Sequence, residues 1–207
     1  MATPHHARRS DTRRRIQDVA LRLFAEQGYE KTSLREIAER LDVTKAALYY
    51  HFRTKEDILV SLCEDVTAPV DALITWARAQ PHSLETKQEV LRRYSEALWD
   101  SEDFFRFVHE NQATVRDLAV GAAFRSRVKA VNELLREPDA PVTAQVRSVT
   151  ALMAMHAGMF VTQNVEGDPE EKRSAVLDVA LDLVTQAHRE TALTGGRSAG
   201  EAVLTAE

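Results

Sequence analysis

An all-α fold is predicted by three observations on the sequence. Apolar residues recur at three- and four-residue spacing along almost the whole chain. Turn-forming clusters, Pro81-His82-Ser83, Pro138-Asp139-Ala140-Pro141 and Gly167-Asp168-Pro169, separate these stretches. No segment sustains the period-two alternation of a half-buried strand, and no internal repeat is present. The architecture expected is a small N-terminal three-helix domain containing a helix-turn-helix, joined to a larger C-terminal helical domain.

Each element has its own signal. Ile16, Val19, Ala20, Leu23 and Phe24 line one face of a first helix, which Gly28 stops. Ser33 and Glu36 form a capping box for a second helix over 33–41, with Leu34, Ile37, Ala38 and Leu41 as its buried stripe. Asp42-Val43 makes a tight turn, and Thr44 caps a third helix over 44–52. Thr54 caps a fourth, with Glu56 and Asp57 in the first turn, where the macrodipole favours anions. That helix runs through Ile58, Leu59, Leu62 and Val66 to Pro69, where it should kink or end before helical pattern resumes to about Ala79. Further helices are expected over about 84–100, 102–118, 119–136, 142–165 and 169–190. The glycine-bearing tail from Thr194 has linker composition and is expected to be disordered.

Charge is distributed unevenly. The net charge is -5, with 29% charged and 44% hydrophobic residues, the balance of a soluble globular protein. Residues 1–55 nevertheless carry 12 Lys and Arg against 7 Asp and Glu, whereas residues 56–207 carry 15 against 25. A basic head on an acidic body suits a nucleic-acid reader joined to a part that does not touch nucleic acid. The single Cys63 excludes an internal disulfide and fits a reducing cytoplasm. Arginines at 8, 9 and 13–15 interrupt any signal-peptide core. The longest apolar passage, 149–161, is far short of the roughly 20 residues needed to cross a bilayer.

The chemistry concentrates in Thr44-Lys45-Ala46-Ala47-Leu48-Tyr49-Tyr50-His51-Phe52. A helix pressed into the major groove needs small side chains where its start meets the base edges. Lys45 can donate to guanine, and Ala46 or Ala47 can meet a thymine methyl. Tyr49, Tyr50 and His51 lie where a phenol or imidazole reaches phosphate oxygen, although Tyr49 also suits packing against the core. Leu48 and Phe52 face inward. Lys55 joins a cation to the amides of a helix start, an arrangement suited to phosphate, and Ser33 and Arg35 are placed to touch backbone across the groove. The arginines at 8, 9 and 13–15 form either a groove-entering arm or a solvated tail.

This segment resembles the DNA-binding signature of the TetR family of bacterial transcriptional regulators. The matching pieces are Gly28-Tyr29, Ser33-Leu34-Arg35-Glu36-Ile37-Ala38, Val43, Leu48-Tyr49-Tyr50-His51-Phe52 and Lys55-Glu56-Asp57-Ile58-Leu59. The family usually has Gly where this chain has Asp42, and Asp tolerates the left-handed backbone such a turn needs. The resemblance implies a homodimer, an effector pocket in the C-terminal domain and repression released by ligand. It divides the chain into a DNA-binding domain at 1–55 (1–10 a flexible arm), an effector-binding and dimerisation domain at 56–193, and a disordered tail at 194–207.

Within the body, Trp76, Trp99, Phe105, Phe124, Met153, Met159 and Phe160 are candidate pocket residues, with ordinary core packing as the alternative for each. His109, Gln112 and His156 are polar residues in apolar segments and need a partner, in protein, water or ligand. The apolar faces of 142–165 and 169–190 can pair with their copies as a four-helix bundle, or pack only within one chain. No phosphate loop, metal-ligand spacing or nucleophile elbow appears, so neither enzyme activity, metal nor cofactor is expected. The acidic group Asp100, Glu102 and Asp103 reads as a solvated helix junction, and Cys63 as packing rather than an oxidant sensor. The function expected is a cytoplasmic, ligand-responsive repressor that binds a palindromic duplex DNA operator as a homodimer. The alternatives are an activator or ligand-independent regulator with the same head, and, from another class, a small-molecule carrier or enzyme.

Overall fold

In the computed structural model, which describes residues 4–204 and, with a few internal exceptions, the side chains of 11–194, every regular element among the described residues is helical. In order these are α1 (Pro4–Gln27), α2 (Leu34–Arg40), α3 (Lys45–His51), α4 (Lys55–Arg78), α5 (Leu84–Trp99), α6 (Glu102–Glu110), α7 (Gln112–Asp117), α8 (Ala119–Leu135), α9 (Val142–Val161), a 3-10 turn (Thr162–Asn164) and α10 (Pro169–Leu204). The chain divides into two compact units, one of Met1–Ala68 with Ser101–Arg125, the other of Pro69–Asp100 with Ser126–Glu207. The division therefore falls inside α4 and α8 rather than at 55/56, and α6, α7 and the start of α8 belong with the head.

The first unit is built on α1. Ile16, Val19, Ala20, Leu23 and Phe24 are buried, as their spacing predicts, and they meet Ile37 and Ala38 of α2, Leu48 of α3 and Ile58, Leu59 and Leu62 of α4 in one core. Phe104 and Phe107 of α6 complete it. Phe24 lies 5.0 Å from the Tyr29 ring and 5.7 Å from Phe107, in the tilted and edge-on arrangements aromatic rings prefer. Burial and the neighbouring carboxylates of Glu56 and Glu30 push the Tyr29 phenol up to about 12. Buried Gln17 donates to Ser61 Oγ (2.8 Å) and Asp65 Oδ2 (2.6 Å), tying α1 to α4 and satisfying its own amide.

The turn chemistry follows the sequence closely. Gly28 has φ +92, and its N–H donates to Phe24 O at 3.0 Å, ending α1. Asp42 has φ 54, the left-handed conformation expected of the residue that replaces a turn glycine. Asp42→Val is expected to destabilise the first unit by about 1–2 kcal/mol, because a β-branched side chain is strained there, whereas Asp42→Gly is expected to be neutral or slightly stabilising. Thermal melts of the two variants followed by far-ultraviolet circular dichroism check this pair.

Four expectations are corrected. Helix α1 starts at Pro4, inside the stretch read as a flexible arm; proline suits a first helical turn, where its missing N–H costs no bond. Residues 1–3 of that arm lie outside the described residues. Helix α4 continues through Pro69 instead of ending, since Leu62, Cys63, Val70, Leu73 and Ile74 bury a continuous stripe that offsets the lost bond. The helix predicted over 102–118 is two. Asn111 (φ -115, ψ 31) separates α6 from α7, and its side-chain amide donates at 2.9 Å to Phe107 O, which also accepts the Asn111 backbone N–H at 3.0 Å. Finally, α10 does not stop near 190. No proline follows Pro169, each added residue gains one ladder bond, and the helix runs to Leu204; residues 205–207 of the tail expected to be disordered lie outside the described residues.

In the second unit α5, α9 and α10 pack together. Gly158 of α9 marks the closest approach: a Cβ there would stand 2.5 Å from a Val176 methyl of α10. Lys87, only 2% exposed, donates to Glu137 Oε1 at 2.7 Å, and His82 Nδ1 meets the same oxygen at 2.9 Å. Against the desolvation that raises it, the hydrogen bond and charge of Lys87, with the His82 ring beside it, hold the Glu137 carboxyl below the usual carboxylate range. This anchors the start of the loop between α8 and α9 to the start of α5, from residues 50 and 55 positions away in sequence.

Candidate nucleic-acid interface

Helices α2 and α3 and the start of α4 position the predicted contact residues. Ser33 caps α2: its Oγ accepts from Glu36 N (3.3 Å), and its own N–H donates to Glu36 Oε2 (2.8 Å), so both halves of the capping box are made. The Ser33 hydroxyl also donates to Glu36 Oε2 (2.8 Å), and this bond, with that from the Ser33 N–H, holds the Glu36 carboxyl below its ordinary range. The Ser33 hydroxyl is thereby engaged in shaping the helix start. Arg35 is exposed and pairs with Glu39 at 2.7 Å, a solvent-screened surface contact that a phosphate can replace.

Helix α3 has seven residues, and Leu48 is the one it buries. Thr44 caps it by accepting from Ala47 N at 3.2 Å. Around that cap Lys45, Ala46 and Ala47 are exposed, which leaves the first turn low and open for base edges. Lys45 Nζ lies 5.7 Å from the Tyr49 ring centroid. Tyr49 is 43% exposed and Tyr50 66%, too much for core packing, so both phenols are presented outward. The Tyr50 and His51 rings meet edge to face at 5.3 Å. Phe52 ends the helix buried at 2% exposure, and the Arg13 guanidinium lies 4.5 Å from its ring centroid. Arg13 thus packs on the end of α3, a contact the sequence did not reveal.

Lys55, expected to meet phosphate, is also engaged within the head. Its ammonium donates to Tyr29 O (2.7 Å) and Glu30 O (3.2 Å), lies 3.6 Å from the Glu30 carboxylate, and sits 4.3 Å from the Tyr29 ring centroid. It clamps the α1–α2 loop to the start of α4, and in this arrangement it orders the frame around α3. At the same helix start Asp57 Oδ2 accepts from Arg53 N and Thr54 N, at 3.0 and 2.9 Å, the anion at a helix start that the macrodipole favours.

The ten residues proposed for an effector site are divided between the two units. Phe105, His109, Gln112 and Phe124 belong to the first unit, and Trp76, Trp99, Met153, His156, Met159 and Phe160 to the second. The Phe105 and Phe124 rings meet at a tilt, 5.6 Å between centroids, while His109 and Gln112 are exposed and meet each other at 3.2 Å. Trp76 is covered by the Arg93 guanidinium at 4.0 Å, and Met153 is 45% exposed on α9. Met159 is buried, and Trp99 and Phe160 are half-buried. His156 Nε2 bonds the Tyr94 hydroxyl at 2.7 Å. Sequence reading missed Tyr94 as that partner because it lies 62 residues away.

Burial lowers the His156 imidazole to about 4, so it is neutral at physiological pH; burial likewise pushes the Tyr94 phenol up. The folded value lies below the unfolded one of about 6.5, so this pair's contribution is fully present above pH 6.5 and is lost as pH falls toward 4. The loss expected is about 3 kcal/mol. Both tryptophans, Trp76 and Trp99, lie in the second unit and report its unfolding by fluorescence. Urea titrations across this range should show a smaller acid-induced loss in His156→Gln than in the parent; equal losses would remove His156 as the cause.

Known proteins resemble the chain in two ways. A family model described as bacterial regulatory proteins, tetR family, matches residues 16–62. The HTH-type transcriptional regulator AcrR of Shigella flexneri is 50% identical over 54 residues, 26% of this chain and 25% of the relative. The A-factor receptor protein of Streptomyces griseus is 42% identical over 65 residues, 31% of this chain and 24% of the relative. The matched part therefore spans about a quarter of each of these two curated relatives. Solved structures extend the likeness in fold. A tetR-family regulatory protein from Rhodococcus RHA1 superposes with TM-score 0.63 at 22% identity, over 83% of this chain and 96% of that one. The TetR family transcriptional regulator PfmR from Thermus thermophilus does so with TM-score 0.61 at 22% identity, over 81% and 97%. The head, formed as the capped helices α2 and α3 on the α1 core, is thus the part of the chain that matches the tetR family of bacterial regulatory proteins.

Proposed function

We propose that the chain is a transcriptional regulator that reads a palindromic DNA operator as a homodimer and represses until a small molecule binds its helical body. The observation that carries this reading is the form of α3: one buried anchor, Leu48, with Lys45, Ala46, Ala47, Tyr49 and Tyr50 all exposed around it. Small residues at the start suit base edges, and the phenols beyond them suit phosphate. No helix among the described residues is long and apolar enough to cross a membrane, which agrees with a cytoplasmic DNA partner.

Dimerisation draws support from α9 and α10. Val142 (76% exposed), Val146, Val149 and Met153 follow at four-, three- and four-residue spacing along α9, and Val179 and Leu193 are exposed on α10. An apolar stripe of this kind on two packed helices fits a second copy in a four-helix bundle. Ligand response draws on the family resemblance and on a relative named a receptor. In the second unit the neutral Tyr94–His156 pair beside Met159 offers an effector polar contacts in apolar surroundings. An effector that favours one separation of the two heads by about 1–3 kcal/mol, an ordinary coupling, would release the operator.

Selection from a random duplex pool tests the reading. The selected sites should be inverted repeats whose half-sites lie a whole number of helical turns apart. Recovery of no common sequence would overturn it.

A further inference from the structure

We propose that the cleft between α1 and the end of α2 is a second phosphodiester site of the head, gripping duplex backbone outside the groove read by α3. The inference rests on the DNA-binding reading above and extends it to residues on the flank of the head. The cleft is open, about 240 Å³ in volume, and lined by Arg15, Asp18, Val19 and Arg22 of α1 with Arg40 and Leu41 at the end of α2. The α1 residues are spaced by three, four and seven positions and so share one helix face. Val19 is buried and Leu41 half-buried, giving the cleft an apolar floor, while all three arginines and Asp18 are exposed.

Three arginines therefore line one cleft, with Asp18 as the single acidic residue of its lining. Among the described residues none of the three lies in an ion pair, in contrast to Arg35, held by Glu39, and Arg106, held by Glu102 and Asp103. Like charges gathered without acidic partners repel one another, and an anion relieves that cost. The planar fork of arginine matches a phosphate in two parallel hydrogen bonds. Arg15 and Arg22 are separated by about 10 Å of helix, whereas one DNA strand carries a phosphate every ~3.4 Å of axis, so they meet different phosphates.

The location ties the cleft to the reading helix. Arg40 is the last residue of α2, four before the Thr44 cap of α3. Two residues before the cleft, Arg13 of α1 packs on Phe52 at the end of α3. Residues 13–22 of α1 thus touch the end of α2 and the end of α3, and a duplex held by α3 and by this face is gripped at both. An acidic polypeptide is the competing occupant of such a surface, but a run of duplex phosphates matches arginines placed along a helix.

The test measures affinity for a mixed-sequence duplex and for a selected operator at several salt concentrations. R22Q/R40Q is expected to weaken both alike and to reduce the slope of log affinity against log salt by about 1–2, because each lost phosphate contact removes about one released counterion. R22K/R40K, which keeps the charge, should retain the slope, and D18N should strengthen both complexes. Unchanged affinity and slope in R22Q/R40Q, with Tyr50→Ala still weakening binding, overturns the cleft alone. Loss of polyglutamate binding in R22Q/R40Q without a change in DNA slope assigns the cleft to an acidic polypeptide and likewise overturns it. A parent protein that binds neither duplex overturns both this inference and the function on which it rests.

Discussion

Val146→Glu with Met153→Glu is expected to yield a monomer that no longer holds a palindromic operator. Both side chains are more than 40% exposed on α9, so the substitutions cost the isolated chain little. In a four-helix bundle the same positions are buried against the partner, and four carboxylates brought together in an apolar interface cannot be paired. The effect on DNA is larger than on either fold or head. A dimer binds two half-sites with one association, whereas a monomer must bind each separately, and the lost effective concentration lowers affinity by roughly 10²–10⁴-fold. Sedimentation measures the oligomeric state and anisotropy the operator affinity. A double variant that remains dimeric places the interface on another surface.

Leu48→Ala is expected to abolish DNA binding without removing a single DNA contact. Leu48 is fully buried and is the only residue that the seven-residue α3 buries in the head core. Its truncation leaves a cavity beneath the helix and costs about 2–5 kcal/mol. A helix of this length has no stability of its own, so packing holds it, and the loss falls directly on the element that meets DNA. Amide exchange should show α3 opening well before α1, and tryptophan fluorescence should show the second unit still folded. Equal protection of α3 in parent and variant would contradict this account.

Leu48 could be read from spacing alone, because its partners Ile37 and Phe24 lie on helices whose periodicity and caps are local signals. The capping box of Ser33, the Thr44 cap and the left-handed Asp42 turn are local for the same reason, and each is present. What escaped was set by contacts between residues far apart. Lys55 reads as a phosphate ligand from its place at a helix start, yet the carbonyls of Tyr29 and Glu30 take its ammonium. His156 reads as a residue needing a partner, and only folding names Tyr94. Lys87 lies one turn before Val90 and Leu91 on a buried face, a signal that was visible, but its Glu137 partner sits in a loop 50 residues on. The break at Asn111 is a single residue leaving helical backbone, which an apolar pattern that runs on across it does not mark.

The central claim is that α3 reads DNA from one of two paired heads. Its most direct test is the stoichiometry and affinity of the parent and of Tyr50→Ala on a selected palindrome and on its isolated half-site. The account predicts two chains on the palindrome, far weaker binding to the half-site, and weaker binding of Tyr50→Ala to both, because an exposed phenol on the phosphate backbone is lost. Equal affinity for palindrome and half-site, or an unaltered Tyr50→Ala variant, would contradict it.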